Sequence, residues 1–285
     1  MLAAPDLKDK AAVRNYLAAR LALDKARREH PWYDSVWLVR YLAAKSLIAR
    51  LRPAILEDFV ASFAALRTRK DFEVVDVAAA LDDATLETVR RTVPDLPADA
   101  IRTNETERFG RMLARNQPLY TTLQKELEPL VSDLVGEPVE ASYNFLSLYS
   151  EFGVCEPHMD APNAKWTLDI CLAQSKEWPI YFSQVVDWPE ASPTVGHEDW
   201  QAVIRSDASL RFEPKVMTPG RAVIFSGSSQ WHYRDALPDA QPGDFCNLLF
   251  FHFLPAGMRE ICRPSAWAGH FGVPELAWVA EDAGL

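Results

Sequence analysis

The sequence predicts an α+β fold that is mainly β, with a helical N-terminal region over residues 1–138 and a β-rich core over residues 139–285. Up to about residue 70 the chain is poor in Gly, and apolar residues such as Val13, Leu17 and Leu21 recur at helical spacing. From residue 139 onwards, aromatic and β-branched residues alternate, with Pro or Gly at the breaks. An apolar fraction of 48% in 285 residues is enough to bury a full-sized core.

Helices are predicted over most of the N-terminal region, and Pro marks several of their ends. A first helix ends at His30-Pro31, and a second runs from about Tyr33 to Leu51. The other elements predicted there are a third helix that ends near Arg69, a strand over Phe72 to Val77, a helix from Asp82 to about Arg91, and a helix over Arg108 to Val135 that is broken near Pro118. We expect this region to support the core or to mediate self-association.

Six strands are predicted in the β-rich core. They are Glu140 to Ser150, Lys165 to Ala173, Ile180 to Val186, Ala202 to Arg211, Arg221 to Ser226 and Phe245 to Leu254. Their spacing is typical of an all-β sandwich or barrel.

Charge, hydropathy and cysteine spacing argue against several classes of protein. The net charge of -10 disfavours a generic nucleic-acid coat, because phosphate binding draws on clustered Lys and Arg. No apolar run approaches the roughly 20 residues of a membrane span. Asp6, Lys8 and Asp9 stand where a signal peptide would have its apolar stretch, so the expected compartment is the cytoplasm. The four cysteines form no CxxC pair and are expected to be reduced and mostly buried.

The segment His158-Met159-Asp160 carries the sharpest chemical signal. In extended backbone, residues two apart project to the same side, so His158 and Asp160 can approach one ion. A third ligand should come from a distant strand, and His232 lies 74 positions beyond His158. Two His and one carboxylate on one face of an octahedral site leave three positions open, as a non-haem Fe(II) oxygenase requires. The predicted catalytic metal ligands are therefore His158, Asp160 and His232.

These residues, with Thr218-Pro-Gly-Arg-Ala-Val-Ile-Phe before His232, resemble the HxD…H core of the 2-oxoglutarate/Fe(II)-dependent dioxygenase superfamily over roughly residues 140–255. The resemblance implies a double-stranded β-helix core of the jelly-roll or cupin-like type, Fe(II), and 2-oxoglutarate as co-substrate. It also implies an oxidoreductase that uses O₂, releases succinate and CO₂, and by default hydroxylates its substrate. Asp160 argues against halogenation, because the halogenases that this chain would resemble lack that ligand.

The basic residue that most members of the superfamily carry on the strand after the second His is missing. That strand, Gly243 to Phe253, contains no Lys or Arg. A buried dicarboxylate without a cationic partner is costly, so another residue must bind the far carboxylate of 2-oxoglutarate. Arg234 shares the side of His232 if the backbone is extended there, although it could instead pair with Asp235 or Asp239.

Further candidates for the oxoglutarate site follow from strand alternation. Lys165 begins a polar face that continues at Thr167 and Asp169, and this face is expected to look into the barrel mouth. Arg221 is a weaker candidate, expected to be exposed. Tyr149 resembles the Tyr that often binds an oxoglutarate carboxylate, and Asn247 occupies roughly the usual anchor position.

Two other functions stay open at this stage. The missing strand anchor favours a cupin-like metalloenzyme that does not use 2-oxoglutarate, and a non-catalytic binding protein with a vestigial or structural metal site is the second alternative. The expected substrate is a small molecule or an amino-acid side chain, with no membrane partner. This rests on aromatic residues that are also compatible with core packing, namely Tyr143, Trp166, Trp231 and Tyr233.

Overall fold

The structure is a computed structural model that describes residues 5–190 and 198–280. The chain forms two compact units, one from residues 1–67, 187–207 and 257–285, the other from residues 68–186 and 208–256. Residues 1–138 are therefore shared between the units, because residues 68–138 include three strands that pair into the sheet of the second unit. Within the described residues, no helix has the length and apolar character needed to span a membrane.

The α-helices and β-strands are numbered along the chain. The helices are α1 (Lys10–Glu29), α2 (Val36–Leu51), α3 (Leu56–Ala61), α4 (Asp83–Thr92), α5 (Thr106–Phe109), α6 (Pro118–Glu126), α7 (Glu128–Val135), α8 (Trp200–Ser206), α9 (Trp267–His270) and α10 (Leu276–Ala280). The strands are β1 (Val75–Val77), β2 (Ile101–Arg102), β3 (Arg111–Arg115), β4 (Val139–Ser150), β5 (Cys155–His158), β6 (Trp166–Gln174), β7 (Ile180–Phe182), β8 (Glu213–Lys215), β9 (Ala222–Ser226), β10 (His232–Arg234) and β11 (Phe245–Pro255).

The first unit is helical and packs around aromatic side chains. Helix α1 is capped at its N-terminus by Asp9, whose carboxylate accepts hydrogen bonds from the backbone N–H groups of Ala11 and Ala12. The ring centroid of the buried Trp37 on α2 lies 5.8 Å from that of Phe63 and 5.6 Å from that of Trp267, and both contacts are edge-on. The helical prediction for the start of the chain is confirmed.

The second unit contains two antiparallel sheets. Seven strands lie in the order β1-β9-β6-β11-β4-β3-β2, and four lie in the order β5-β10-β7-β8. The long strands β4 and β11 pair from Val139↔Pro255 to Ser150↔Phe245 at the centre of the larger sheet. Five of the six strands predicted after residue 139 are present. Four of them differ from the prediction by one residue at one or both ends, whereas β7 ends at Phe182 instead of Val186, and the α+β class is confirmed.

The seven-stranded sheet has two chemically different faces. One face, here the helix-side face, carries the apolar residues that pack with α4, α6 and α7, among them Leu168, Ile170, Leu249, Phe251 and Phe253. The residues that alternate with them lie on the opposite face, here the site face. On β6 and β11 these are Thr167, Asp169, Cys171, Leu248, Phe250 and His252. The site face contacts the four-stranded sheet, as shown by the hydrogen bond from Arg234 on β10 to Asp169 on β6.

Two predicted elements are wrong. The helix expected over Arg108 to Val135 contains strand β3, because Gly110 ends α5 with φ +63 and the following five residues pair with β4. The strand expected over Ala202 to Arg211 begins as helix α8, since the carboxylate of Asp199 caps its N-terminus through the backbone N–H of Ala202. In both cases a local end signal outweighed the apparent periodicity.

Candidate metal centre

The structure brings the three predicted ligands together. His158 ends β5, Asp160 follows two residues later, and His232 begins β10 directly opposite His158 in the antiparallel register. Oδ1 of Asp160 lies 3.6 Å from Nε2 of His158 and 3.8 Å from Nε2 of His232. One potential ligand atom from each residue lies within 4.8 Å of the other two. Strand pairing thus produces the convergence that the sequence spacing predicted.

Backbone carbonyls set the tautomer of both histidines. Nδ1 of His158 lies 2.8 Å from the carbonyl oxygen of Glu156, and Nδ1 of His232 lies 3.0 Å from that of Gln230. Because a carbonyl only accepts, each Nδ1 carries the proton and each Nε2 keeps its lone pair toward Asp160. Burial, followed by the neighbouring charge of His158, holds the pKa of His232 well below its usual value.

This donor set fits a divalent transition-metal ion. It offers two neutral imidazole nitrogens and one carboxylate oxygen, a combination suited to Fe(II), on one side of a common point. The second nitrogen of each ring is hydrogen-bonded to a backbone carbonyl, which is the usual outer-shell arrangement of a metal-ligating histidine.

Arg234 lies in the interior of the second unit and is paired there. Its guanidinium donates to Oδ2 of Asp169 at 3.1 Å and to the backbone carbonyl of Trp178 at 2.6 Å. The ion-pair partner is therefore Asp169 rather than Asp235 or Asp239. Burial raises the pKa of Asp169 to about 6, although Arg234 opposes the shift.

Tyr149 and Arg234 both lie against the indole ring of Trp178. The ring centroids of Tyr149 and Trp178 are 4.8 Å apart, and the Arg234 guanidinium carbon is 5.0 Å from the Trp178 ring. Burial raises the pKa of the Tyr149 phenol, which stays protonated at neutral pH. The structure thus brings two of the four predicted oxoglutarate-binding residues into one buried region.

A second buried arginine, missed by the sequence analysis, lies beside Tyr149. Nη1 of Arg111 on β3 donates to the Tyr149 hydroxyl at 2.6 Å, and its Nε donates to Glu105 at 2.7 Å. Arg111 was missed because residues 108–117 were assigned to a helix. The signal in the sequence is Gly110, because glycine in the left-handed region ends helices, as it ends α5 here before the strand.

Lys165 and Asn247 are not brought to the metal centre. The Lys165 ammonium pairs with Glu137, and it precedes β6 rather than lying on it. Asn247 alternates with Leu249 and Phe251, so it lies on the helix-side face of β11. Trp166, one of the aromatic residues expected near the substrate, also packs in the helix-side core and is 2% exposed.

The site face carries buried polar atoms that have no hydrogen-bond partner among the described residues. They are Oγ of Ser147 and Oδ1 of Asp169. The ring of His252 stacks on Tyr143 at 4.2 Å, and burial together with the charge of Arg115 lowers its pKa to about 3. Unpaired buried polar groups are costly in an apolar interior, so these atoms mark a region that water or a ligand can satisfy.

The free cysteines agree with the sequence analysis. All four are unbridged, and Cys171, Cys246 and Cys262 are buried. Sγ of Cys155 lies 3.9 Å from Nδ1 of His158, at the edge of the metal centre.

No protein-family model matches the sequence, and no curated protein matches it. Solved structures do match. HygX from Streptomyces hygroscopicus, crystallised with nickel, 2-oxoglutarate and hygromycin B, aligns with a TM-score of 0.50 at 11% identity over 65% of this chain and 83% of HygX. The non-haem α-ketoglutarate-dependent epimerase SnoN from nogalamycin biosynthesis aligns with a TM-score of 0.48 at 16% identity over 74% of this chain and 90% of SnoN.

A third matching structure is an oxidoreductase of the 2OG-Fe(II) oxygenase family from Burkholderia pseudomallei. It aligns with a TM-score of 0.43 at 14% identity over 70% of this chain and 89% of the other. The alignment with HygX shows that this chain shares its fold. The fold that the resemblance implied is therefore the fold that this chain shares with HygX.

Proposed function

We propose that this protein is a non-haem Fe(II)- and 2-oxoglutarate-dependent oxygenase with a double-stranded β-helix core. The observation that carries the proposal is the convergence of His158, Asp160 and His232 within 4.8 Å. The shared fold with HygX, which was crystallised with nickel and 2-oxoglutarate, supports it.

The three ligands would hold Fe(II) and leave half of its coordination positions to other molecules. When bound, Fe(II) with 2-oxoglutarate supplies the oxidising chemistry that releases succinate and CO₂ and, by default, hydroxylates the substrate. The protein positions the three ligand side chains and sets the protonation state of the two histidines. The carbonyls of Glu156 and Gln230 keep both Nε2 atoms unprotonated.

Arg234 and Tyr149 are the residues that we propose for the far carboxylate of 2-oxoglutarate. Both are buried, and both lie against Trp178. A guanidinium supplies charge-assisted hydrogen bonds to a carboxylate, and a protonated phenol adds one more donor. Lys165 and Asn247 remain lesser candidates because of their location. The Lys165 ammonium lies at Glu137 beside Trp166 of the helix-side core, and Asn247 lies on the helix-side face of β11.

The substrate that we propose is a small molecule or an amino-acid side chain, bound near the site face. Oδ1 of Asp169, which has no hydrogen-bond partner among the described residues, supports a substrate with polar groups, and the bound hygromycin B of HygX is a precedent on a shared fold. A cytoplasmic location, a supporting role of residues 1–138 beside a core over residues 139–285, and self-association through the helical region stay predictions.

Metal binding is the first test. Anaerobic titration of Fe(II), or of Ni(II) as a redox-stable probe, should give stoichiometric binding that becomes weak and no longer stoichiometric in His158→Ala, Asp160→Ala and His232→Ala. His270→Ala removes an exposed histidine of α9 and serves as the matched control, with unchanged binding. Full metal binding by any of the three ligand variants would contradict the site assignment.

A second measurement separates the proposed function from a cupin-like enzyme that does not use 2-oxoglutarate. That alternative is favoured by the absence of Lys and Arg from β11. Anaerobic addition of 2-oxoglutarate to the Fe(II) protein should produce the weak visible charge-transfer band of the chelate, and O₂ should then yield succinate. A flat difference spectrum on a protein that binds metal would favour the cupin-like enzyme, and metal binding without any turnover would favour a binding protein.

A further inference from the structure

The two oxygens of the Asp160 carboxylate have different surroundings. Oδ1 faces Nε2 of both histidines, whereas Oδ2 accepts a hydrogen bond from the hydroxyl of Thr167 at 3.3 Å. Thr167 lies on the site face of β6, is 1% exposed, and is opposite Phe225 in the strand register. The hydroxyl that contacts Oδ2 therefore comes from a buried position on a central strand.

Gly227 closes the same side of the carboxylate. The carbonyl oxygen of Gly227 accepts a hydrogen bond of 2.8 Å from the backbone N–H of Asp160, so the chain at Gly227 lies directly beside the chain at Asp160. A Cβ atom at position 227 would lie 2.2 Å from Oδ2 of Asp160 and 2.6 Å from the carbonyl oxygen of Ala164. Both distances are far below contact distance, so this close approach requires glycine.

We propose that Thr167 and Gly227 are positioning residues that hold Asp160 so that only Oδ1 is presented to the metal; this inference rests on the proposed metal centre. A carboxylate that is free to rotate can offer both oxygens to a cation. The Thr167 hydroxyl occupies Oδ2, and the absence of a side chain at Gly227 leaves room for that oxygen to stay turned away from the histidines.

The consequence is a coordination sphere with three protein ligand atoms rather than four. A second oxygen from Asp160 would take one of the positions that a chelating oxoacid and O₂ need together. Outer-shell hydrogen bonds also raise the affinity of a ligand for its metal by fixing its orientation. Thr167 and Gly227 therefore bear on both the affinity and the number of open positions.

The test compares metal binding in variants that keep or remove the hydroxyl. Thr167→Val replaces the hydroxyl by a methyl group of similar size, and Thr167→Ser restores it. Titration with Co(II) should show affinity about 10- to 100-fold weaker for Thr167→Val, as is typical when an outer-shell partner is lost, with a changed visible absorption spectrum of bound Co(II). Thr167→Ser should bind and absorb as the wild type does.

Two controls distinguish positioning from general damage. Thr92→Val makes the same substitution on α4, where the hydroxyl donates to the carbonyl of Val89, and should leave Co(II) affinity and spectrum unchanged. In an Asp160→Ala background, adding Thr167→Val should have no further effect on the residual Co(II) affinity, because the hydroxyl acts only through that carboxylate. Gly227→Ala should weaken Co(II) binding at least as much as Thr167→Val.

An unchanged Co(II) affinity and spectrum in Thr167→Val would overturn the inference, as would an equal loss with and without Asp160. If Thr167→Val does not fold, as judged by thermal unfolding of the metal-free protein, Thr167→Ala replaces it in the same comparison. A wild-type protein that binds no metal would contradict the proposed function itself. Metal binding that depends on His158, Asp160 and His232 but not on Thr167 would overturn this inference alone.

Discussion

Arg234 and Asp169 form an ion pair of 3.1 Å between the two sheets of the second unit, and both side chains are almost fully buried. Oδ2 of Asp169 accepts a hydrogen bond from the guanidinium, whereas its Oδ1 has no hydrogen-bond partner within residues 5–190 and 198–280. The carboxylate that pairs with Arg234, the proposed oxoglutarate-binding arginine, belongs to Asp169, which lies two residues from Thr167 on β6. Both members can be tested separately.

Replacing Arg234 should weaken 2-oxoglutarate binding without a comparable loss of metal affinity. A charge-assisted hydrogen bond contributes about 1.5–3 kcal/mol, so Arg234→Ala should raise the Kd of 2-oxoglutarate roughly 10- to 100-fold. Isothermal titration of the Ni(II) protein measures both constants. Arg221→Ala, which removes an exposed arginine at the start of β9, is the matched control. An unchanged oxoglutarate constant in Arg234→Ala would move the assignment to Lys165.

The Asp169 carboxyl should make the wild type relatively more stable in mild acid. Its pKa of about 6 in the folded protein lies above the ordinary value of 3.8, so between these values the folded state binds more protons than the unfolded state. Stability from this group is therefore gained as the pH falls from about 6 towards 4. Relative to Asp169→Asn, the wild type should gain about 2 kcal/mol between about pH 7 and pH 4.5 in urea unfolding.

The exposed carboxyl variant Asp99→Asn should show no such pH-dependent difference. A wild type that loses stability relative to Asp169→Asn over the same interval would contradict the assigned direction of the pKa shift.

His252 should have the opposite effect. Burial, followed by the charges of Arg115 and Arg111, lowers its pKa from 6.5 to about 3, so the unfolded state binds the proton first as the pH falls. Stability present above about pH 6.5 is lost progressively towards pH 3. Urea unfolding of wild type and His252→Phe should show a relative loss of about 2 kcal/mol for the wild type between about pH 7 and pH 5. Equal pH profiles would show that this ring is not buried in its neutral form.

Gly110 is expected to be required for the placement of β3. It has φ +63, and a Cβ atom there would lie 2.2 Å from the carbonyl oxygen of Phe152. Gly110→Ala should lower the free energy of unfolding by on the order of 3 kcal/mol through backbone strain and overpacking together. Gly272 has φ +64 with no atom within 4 Å, so Gly272→Ala should show the strain alone. Chemical denaturation of both variants measures the difference, and equal losses would exclude the steric clash at Gly110.

Much of the candidate metal centre was predictable because it depends on local spacing. Residues at positions i and i+2 share a side in extended backbone, which brought His158 and Asp160 together in the prediction, and the structure has β5 ending at His158 with Asp160 two residues beyond. The central strands β4, β6, β9 and β11 were predictable from alternation of aromatic and β-branched residues. The two wrong elements lie where helix-forming residues occur in a strand, as in β3, or where a capping aspartate starts a helix, as in α8.

The sequence by itself determined the class of fold, the common side of His158 and Asp160 and the polar face of β6, because these follow from periodicities of two and 3.6 residues. His232 was reached through its resemblance to a known motif, and its approach to His158 depends on strand pairing. Only the tertiary structure decided which charges meet. The pairing of Arg234 with Asp169, the bond from Arg111 to Tyr149 and the contact of Thr167 with Asp160 join residues from different strands. Such contacts depend on strand order and register, which residue spacing along the chain does not specify.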